Sequence, residues 1–295
     1  MKLEGRRESQ NVEDRRGGGS FGGFGGFGGR KSSLGIGGVI VVGLLVWLMG
    51  GDPLTFLSQQ VLDGGGGLTT GSYTPTAEEE ETAVFARKIL AGTEDVWKKV
   101  FSEQLGREYE PPTMVLFSGS TSSGCGSASA ATGPFYCSAD RTLYIDLSFF
   151  SEMQRSLHAG GDFAYAYVIA HEVGHHVQYL LGTLDKVHAQ EKRVSETEAN
   201  RLSVRTELQA DFYAGVWGYY DNKLFGSLEE GDIEEGINAA NQIGDDRLQM
   251  QSQGYTVPDA FNHGTSAQRA RWLKKGLQTG NMRDGDTFSL NYNSL

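Results

Sequence analysis

The pentapeptide His171-Glu172-Val173-Gly174-His175 constrains this chain more than any other stretch. Its surroundings, from Phe163 to Leu181, contain no proline, and Phe163, Tyr167, Ala170, Gly174, Val177 and Leu181 recur at a three-to-four spacing. That spacing predicts a half-buried helix with Asp162 as N-cap and Gly182 as the stop. On a helix, residues four apart lie one turn apart on the same face. His171 and His175 can therefore offer two imidazole nitrogens to one cation, with Glu172 beside it to handle a proton. The plain alternative is a core helix with two hydrogen-bonded histidines, and the pentapeptide alone leaves both open.

A third ligand can come from Glu207-Leu-Gln-Ala-Asp211, inside a helical pattern over Val194–Tyr220. Glu207 and Asp211 are four apart and share a face. Glu207 can complete a His-His-Glu set that leaves one coordination position open. Asp211 can accept the free ring N–H of a ligating histidine. The competing reading is an exposed acidic pair, which would mildly destabilise the helix unless a counter-ion were present. Apolar neighbours (Leu208, Ala210, Phe212, Ala214, Trp217) favour an inward-facing pair.

The chain before this region changes character several times. Residues 17–29 are almost entirely glycine and phenylalanine, with no capacity for a packed core. We expect residues 1–33 to form a disordered, Gly/Phe-rich cytoplasmic tail. Leu34–Gly51 is an uncharged apolar run. Eighteen helical residues span roughly 27 Å, just enough for a bilayer core. Arg30 and Lys31 precede the run and Asp52 follows it. The positive-inside rule then predicts a single transmembrane helix over 34–51, a cytoplasmic N-terminus and an extracytoplasmic body. A cleavable signal peptide is disfavoured by the long basic region and by the absence of a small-x-small site after Trp47. Residues 52–75 read as a flexible linker and 76–295 as the folded domain.

Charge follows the same division. Of 26 Lys/Arg and 37 Asp/Glu, seven and four lie in residues 1–31, leaving 19 basic against 33 acidic residues beyond. An acidic body argues against nucleic acid as a partner. Thr76 with Glu78–Glu81 reads as a solvated helix start, followed by helical patterns around Val84–Leu90 and Val96–Leu105. Thr113–Ser118 and Arg141–Leu147 read as strands. Cys125 and Cys137 lie twelve apart in the glycine- and serine-rich stretch between them. In an oxidising compartment they would form a disulfide, worth roughly 2–3 kcal/mol in the chain-entropy picture. Their spacing makes no zinc site. Gly182–Ala189 reads as a loop. The expected body is α+β, mostly helical, with a small antiparallel sheet.

Four segments together resemble a known family. His171-Glu-Val-Gly-His-His-Val-Gln178, Glu207-Leu-Gln-Ala-Asp211, Ile243-Gly-Asp-Asp-Arg-Leu-Gln249 and His263-Gly-Thr-Ser-Ala-Gln-Arg269 occur in the order found in the bacterial neutral zinc metallopeptidases. Gly133-Pro-Phe-Tyr-Cys137, Tyr144-Ile-Asp146 and the basic, glycine-rich start are also similar, although Ser138 stands where proline is expected. The resemblance covers about Lys2 to Gly280. It implies a membrane-anchored, zincin-like bacterial inner-membrane protein with Zn2+ on His171, His175 and Glu207. Glu172 would be the base that activates a metal-held water for hydrolysis of cell-envelope polypeptides. A catalytically silent, anchored zinc-binding module is the alternative, and a deformylase-like amidase a weaker one.

In zincins substrate adds to a sheet edge, which Leu143–Leu147 or Met114–Ser118 could supply. His263, Tyr144 and Tyr213 are candidates to steady the oxyanion. His263 precedes the capping box Thr265-Ser-Ala-Gln268, which would start the last helix. His176 lies about 140° round the helix from His171 and is a poorer ligand. His158 and His188 read as incidental loop residues, and Asp245-Asp246-Arg247 as a salt-bridged corner. Nothing in the sequence sets the oligomeric state or the cleavage preference.

Overall fold

The computed structural model describes residues 1–17, 74–129 and 132–295. The expected transmembrane helix at 34–51, the glycine–phenylalanine repeat beyond Gly17 and the linker as far as residue 73 lie outside the described residues. Among the described residues no helix is long and apolar enough to cross a membrane.

Helix α1 runs from Ala77 to Val100, opened by a capping box in which Thr76 and Glu79 exchange bonds with each other's backbone. The two expected helical patterns are therefore one rod, continued by a π turn over Phe101–Leu105. No proline intervenes, and Gly92 is accommodated inside the rod, where a Cβ would meet Arg6 and Asp221, so the ladder runs on. The glutamates at its start are not simply solvated. Glu80 pairs with Arg16 and Arg87.

Strands β1 (Val12–Asp14), β2 (Thr113–Phe117), β3 (Ser120–Ser123), β4 (Gly126–Ser129), β5 (Phe135–Cys137) and β6 (Thr142–Asp146) form two sheets. The larger has the order β1-β2-β6-β5, and β3-β4 is a hairpin. The larger sheet is mixed, not antiparallel as expected: β1-β2 and β2-β6 are parallel and only β5-β6 is antiparallel. Neither stretch expected to supply a free edge does so, because β2 and β6 each have neighbours on both sides. The edge nearest the metal-motif helix is β5.

Alternation along β2 and β6 divides the core. Met114, Leu116, Leu143 and Ile145 face the helices and join the main core, while Val115, Phe117 and Tyr144 pack with Cys137 and Ala128 under the hairpin. The Cys125–Cys137 disulfide forms as expected and ties β5 to the turn of that hairpin.

The remaining helices are α2 (Ser148–Arg155), α3 (Asp162–Leu180), α4 (Thr183–Glu191), α5 (Glu196–Phe225), α6 (Asp232–Gln242), α7 (Asp245–Gln253) and α8 (Ser266–Thr279). The expected loop at Gly182–Ala189 is mostly helix α4; Gly182 stops α3 in the left-handed region, and the chain re-enters a helix at once. Helix α3 is buried nearly all round rather than half-buried, because α5, α6 and α1 pack along it and β5 covers part of the remaining face. Glycines permit the close crossings. A Cβ on Gly174 would sit 2.9 Å from the Ala210 carbonyl oxygen, and Gly215 and Gly276 meet backbone to backbone where α5 crosses α8.

The amino terminus departs most from expectation. Residues 1–17 belong to the folded body, not to a disordered tail ending at 33. Val12–Asp14 pairs with Met114–Leu116 as a sheet-edge strand. Arg6 pairs with the buried Asp221 of α5 at 2.8 Å, and Arg7 with Glu94 and Asp95 of α1. Charges that composition assigns to a solvated tail thus find partners on the body's acidic surface.

Candidate metal centre

Helix α3 presents His171 and His175 on one face, and the close approach at Gly174 brings Glu207 of α5 against both. His171 Nε2 lies 3.1 Å from Glu207 Oε2, and His175 Nε2 lies 3.4 Å from Oε1. The three donor atoms fall within 4.8 Å of one another.

The opposite ring nitrogens fix the orientation. His171 Nδ1 donates to Asp211 Oδ1 at 2.8 Å, since a carboxylate can only accept. His175 Nδ1 donates to Gln178 Oε1 at 2.9 Å, while the Gln178 amide nitrogen donates to the Thr206 carbonyl. In the neutral tautomers set by these bonds, both Nε2 lone pairs face an anionic carboxylate. Three electron-rich atoms converging in a buried space need a cation between them, and the His-His-Glu set matches Zn2+ with one position left open. Without metal, a proton takes that role. Burial would depress the His171 pKa, but the charge and hydrogen bond of Asp211 outweigh it and lift the value to about 10. Burial works against ionisation of Glu207 too, yet His175 and His171 hold its carboxyl well below the usual range.

Asp211 is fully buried and is the hub of the support. It accepts from His171, from the Tyr167 hydroxyl at 2.6 Å and from Arg269 Nε at 2.9 Å. The guanidinium charge of Arg269, with that of His171, overcomes burial and keeps its pKa at about 2. Asp211 therefore stays anionic while it orients a ligand.

Glu172 is 8% exposed, beside the ligands. Burial pushes its pKa up to about 7, opposed by the charge of His171 and by the Tyr136 amide of β5. The carboxylate thus sits between the His171–His175–Glu207 cluster and β5, an edge strand of the sheet among the described residues. His176 faces the other way, donating from Nε2 to the Glu110 carbonyl at 2.7 Å and accepting the Tyr136 hydroxyl at Nδ1. Burial lowers its pKa to about 4, so it is a neutral clamp on β5 and not a ligand.

His263 approaches from the start of α8, near enough for its charge to act on Glu207. Its orientation comes from Asp245, whose Oδ2 accepts the backbone N–H groups of Asn262, His263 and Gly264 and whose Oδ1 bonds His263 Nδ1 at 3.2 Å. The Asp245–Arg247 corner pairs Asp245 with His263 rather than with Arg247, and is otherwise hydrogen-bonded: Asp246 accepts from Ser266, and the corner organises the His263 loop. The capping box at Thr265–Gln268 is present. Tyr144 instead donates to Asp140 and stacks on Phe135, while Tyr213 packs edge-on against Trp97 in the core. His158 lies in a turn, and His188 is on α4, far from any ligand role seen here.

Four supporting residues escape a reading of spacing alone: Tyr167, Gln178, Arg269 and Tyr136. Gln178 could have been found three residues beyond His175 on the same helix. Arg269, 58 residues from Asp211, has no local signal.

Residues 1–288 match the family described as "Putative neutral zinc metallopeptidase". The chain is 49% identical over 301 residues to the uncharacterized protein YpfJ of Escherichia coli K12, covering 98% of this chain and 99% of the relative. It is 40% identical over 257 residues to the uncharacterized protein Mb2605 of Mycobacterium bovis, covering 82% and 84%. No solved structure matches. A family match over nearly the whole length, on a body whose two histidines and glutamate converge, places the chain: it belongs to the neutral zinc metallopeptidase family.

Proposed function

We propose that this chain is a zinc-dependent endopeptidase acting on extended polypeptides outside the cytosol. The observation that carries the reading is the position of Glu172, a buried carboxylate between a convergent His171–His175–Glu207 set and the free edge of β5. Bound zinc would supply Lewis acidity toward a carbonyl oxygen and toward water. Glu172, with a pKa lifted to about 7, can take a proton at its carboxylate and return it to the leaving amine. A substrate strand adding along Phe135–Cys137 would bond to its outward backbone groups and lie across α3. His263, held at Nδ1 by Asp245, can offer Nε2–H to the developing oxyanion. The Cys125–Cys137 disulfide supports an oxidising compartment and braces the strand that substrate would join.

Full-length protein with zinc restored, incubated with a peptide library beside its Glu172→Gln variant, tests this. The variant should keep its zinc and lose about 10²–10⁴-fold in cleavage rate, the usual weight of a general base. Undiminished cleavage by Glu172→Gln would remove that residue from the chemistry. Failure of the zinc-loaded wild type to cleave any peptide would leave a metal-binding module without turnover.

A further inference from the structure

The two candidate histidine donors are oriented by different kinds of partner. His171 is held by Asp211, and a carboxylate accepts whichever way it is turned. His175 is held by Gln178, whose side-chain amide has an acceptor end and a donor end. Turned one way, its Oε1 takes the Nδ1–H of His175 and leaves the Nε2 lone pair toward Glu207. Turned the other way, its amino group would donate to Nδ1 and the ring proton would move to Nε2. The nitrogen facing Glu207 would then have no lone pair for a cation. The sense of one amide decides whether His175 can be a donor at all.

What fixes that sense lies deeper in the body. Gln178 is fully buried, and both its N–H groups are spent: Nε2 donates to the Thr206 carbonyl at 2.7 Å and to Gln209 Oε1 at 3.2 Å. Gln209 is itself a buried amide that could face either way. Its Nε2 donates to the Gly285 carbonyl at 2.9 Å, and a backbone carbonyl can only accept. The order is forced from its far end. Gly285 requires the Gln209 amino group, Gln209 then offers its oxygen to Gln178, and Gln178 offers its oxygen to His175.

Gly285 is itself pinned. It ends the turn Met282–Gly285, where the Met282 amide donates to Gln104 Oε1 at 2.9 Å and Lys275 Nζ of α8 donates to the Asp284 carbonyl at 2.7 Å. Beyond it, the buried Thr287 hydroxyl donates to the Arg205 carbonyl at 2.7 Å, and the Arg205 guanidinium donates to the Thr287 carbonyl. Residues 282–287 are therefore fastened to α5 at Arg205 and Gln209, on either side of Glu207 in sequence.

We propose that Gln209 is a positioning residue of the metal centre, and that through it the backbone carbonyl of Gly285 sets the ring tautomer of His175. The relay His175–Gln178–Gln209–Gly285 makes residues 282–287 a working part of the site, although they bear none of its donor atoms. It rests on the His171–His175–Glu207 set as a cation site and is independent of hydrolysis. Linkage makes it reciprocal: a docked segment that favours the cation is in turn favoured by the bound cation.

The full chain with isotopically labelled histidine tests this. In the metal-free wild type, proton–nitrogen correlation spectra should show the neutral His175 ring, assigned by its loss in His175→Asn, as the Nδ1–H tautomer. Gln209→Met keeps the length of the side chain and removes both bonds. The Nε2–H tautomer should then appear, and zinc affinity, read by chelator competition, should fall about 10-fold. In a Gln178→Leu background the same change should alter neither, because the relay is already cut. A neutral wild-type His175 in the Nε2–H form would overturn the proposal, whether or not any variant folds. So would an unchanged tautomer and affinity in Gln209→Met, or an equal loss of affinity with and without Gln178. If the wild type takes up no zinc, the cation reading fails on its own, while the tautomer, read without metal, still judges the relay.

Discussion

Asp211 Oδ1 accepts the Nδ1–H of His171 at 2.8 Å, and that bond decides which nitrogen of His171 faces Glu207. The same carboxylate is held by Arg269 and Tyr167, so the orientation of this candidate metal donor depends on residues from three helices. Gln178 does the equivalent service for His175 from within α3.

Removing these orienting partners should weaken zinc binding without abolishing it. Gln178→Leu frees the His175 ring, and its zinc affinity should fall by about 10–100-fold, the usual effect of losing an outer-shell partner. Competition with a chromophoric chelator at fixed pH reads this directly. Unchanged affinity would mean that Gln178 only packs.

Arg269 is 4% exposed and faces a carboxylate with no solvent access. Arg269→Met should therefore destabilise the metal-free protein by about 3–5 kcal/mol, because it breaks a buried ion pair and leaves Asp211 only its contacts with His171 and Tyr167. Calorimetry on the single variant and on Arg269→Met with Asp211→Leu should show the double change costing less than the two single changes added.

Asp245 and His263 give a pH signature. Burial opposes ionisation of Asp245, but His263 and the backbone donors outweigh it and hold its pKa below the ordinary value. Its contribution is then fully present above about pH 4 and is lost as pH falls through the folded pKa. His263 has the reverse sign: burial would lower its pKa, but Asp245 raises it, so its contribution is complete below about pH 6.5 and fades as pH rises through the raised value. Asp245→Asn should cost about 2–3 kcal/mol at pH 6, the worth of hydrogen bonds to a charged group. Denaturant titrations from pH 3 to pH 9 should show the gap to wild type narrowing at both ends.

Gly174 lets α3 and α5 touch. A Cβ there would lie 2.9 Å from the Ala210 carbonyl oxygen, between Glu207 and Asp211 in sequence. Gly174→Ala should cost about 1–3 kcal/mol through overpacking and should also lower zinc affinity, since the helices that carry the ligands must separate. A stability loss with unaltered affinity would uncouple the crossing from the site.

The candidate metal donors are legible in the sequence because their signal is local. His171 and His175 are one helical turn apart, as are Glu207 and Asp211, and the 3.6-residue period alone puts each pair on a common face. Helix caps at Thr76 and Thr265 were readable for the same reason, since a capping box spans only four residues. Gly182–Ala189 reads as a loop in sequence but folds as helix α4, because a glycine stop followed by polar residues does not tell a loop from a second short helix.

Sequence by itself determined the donor set, the helix that carries it and the cysteine pair, all of which follow from residue type at short spacing. Tertiary structure decided the rest. It made β5 the free edge rather than β2 or β6, because strand order depends on long-range pairing that alternation cannot encode. It also brought Arg269 to Asp211 across 58 positions and drew Val12–Asp14 into the sheet. An arginine in a short basic segment looks the same in sequence whether it will meet water or a buried aspartate; only the packed body supplies Asp221 to Arg6 and Glu80 to Arg16.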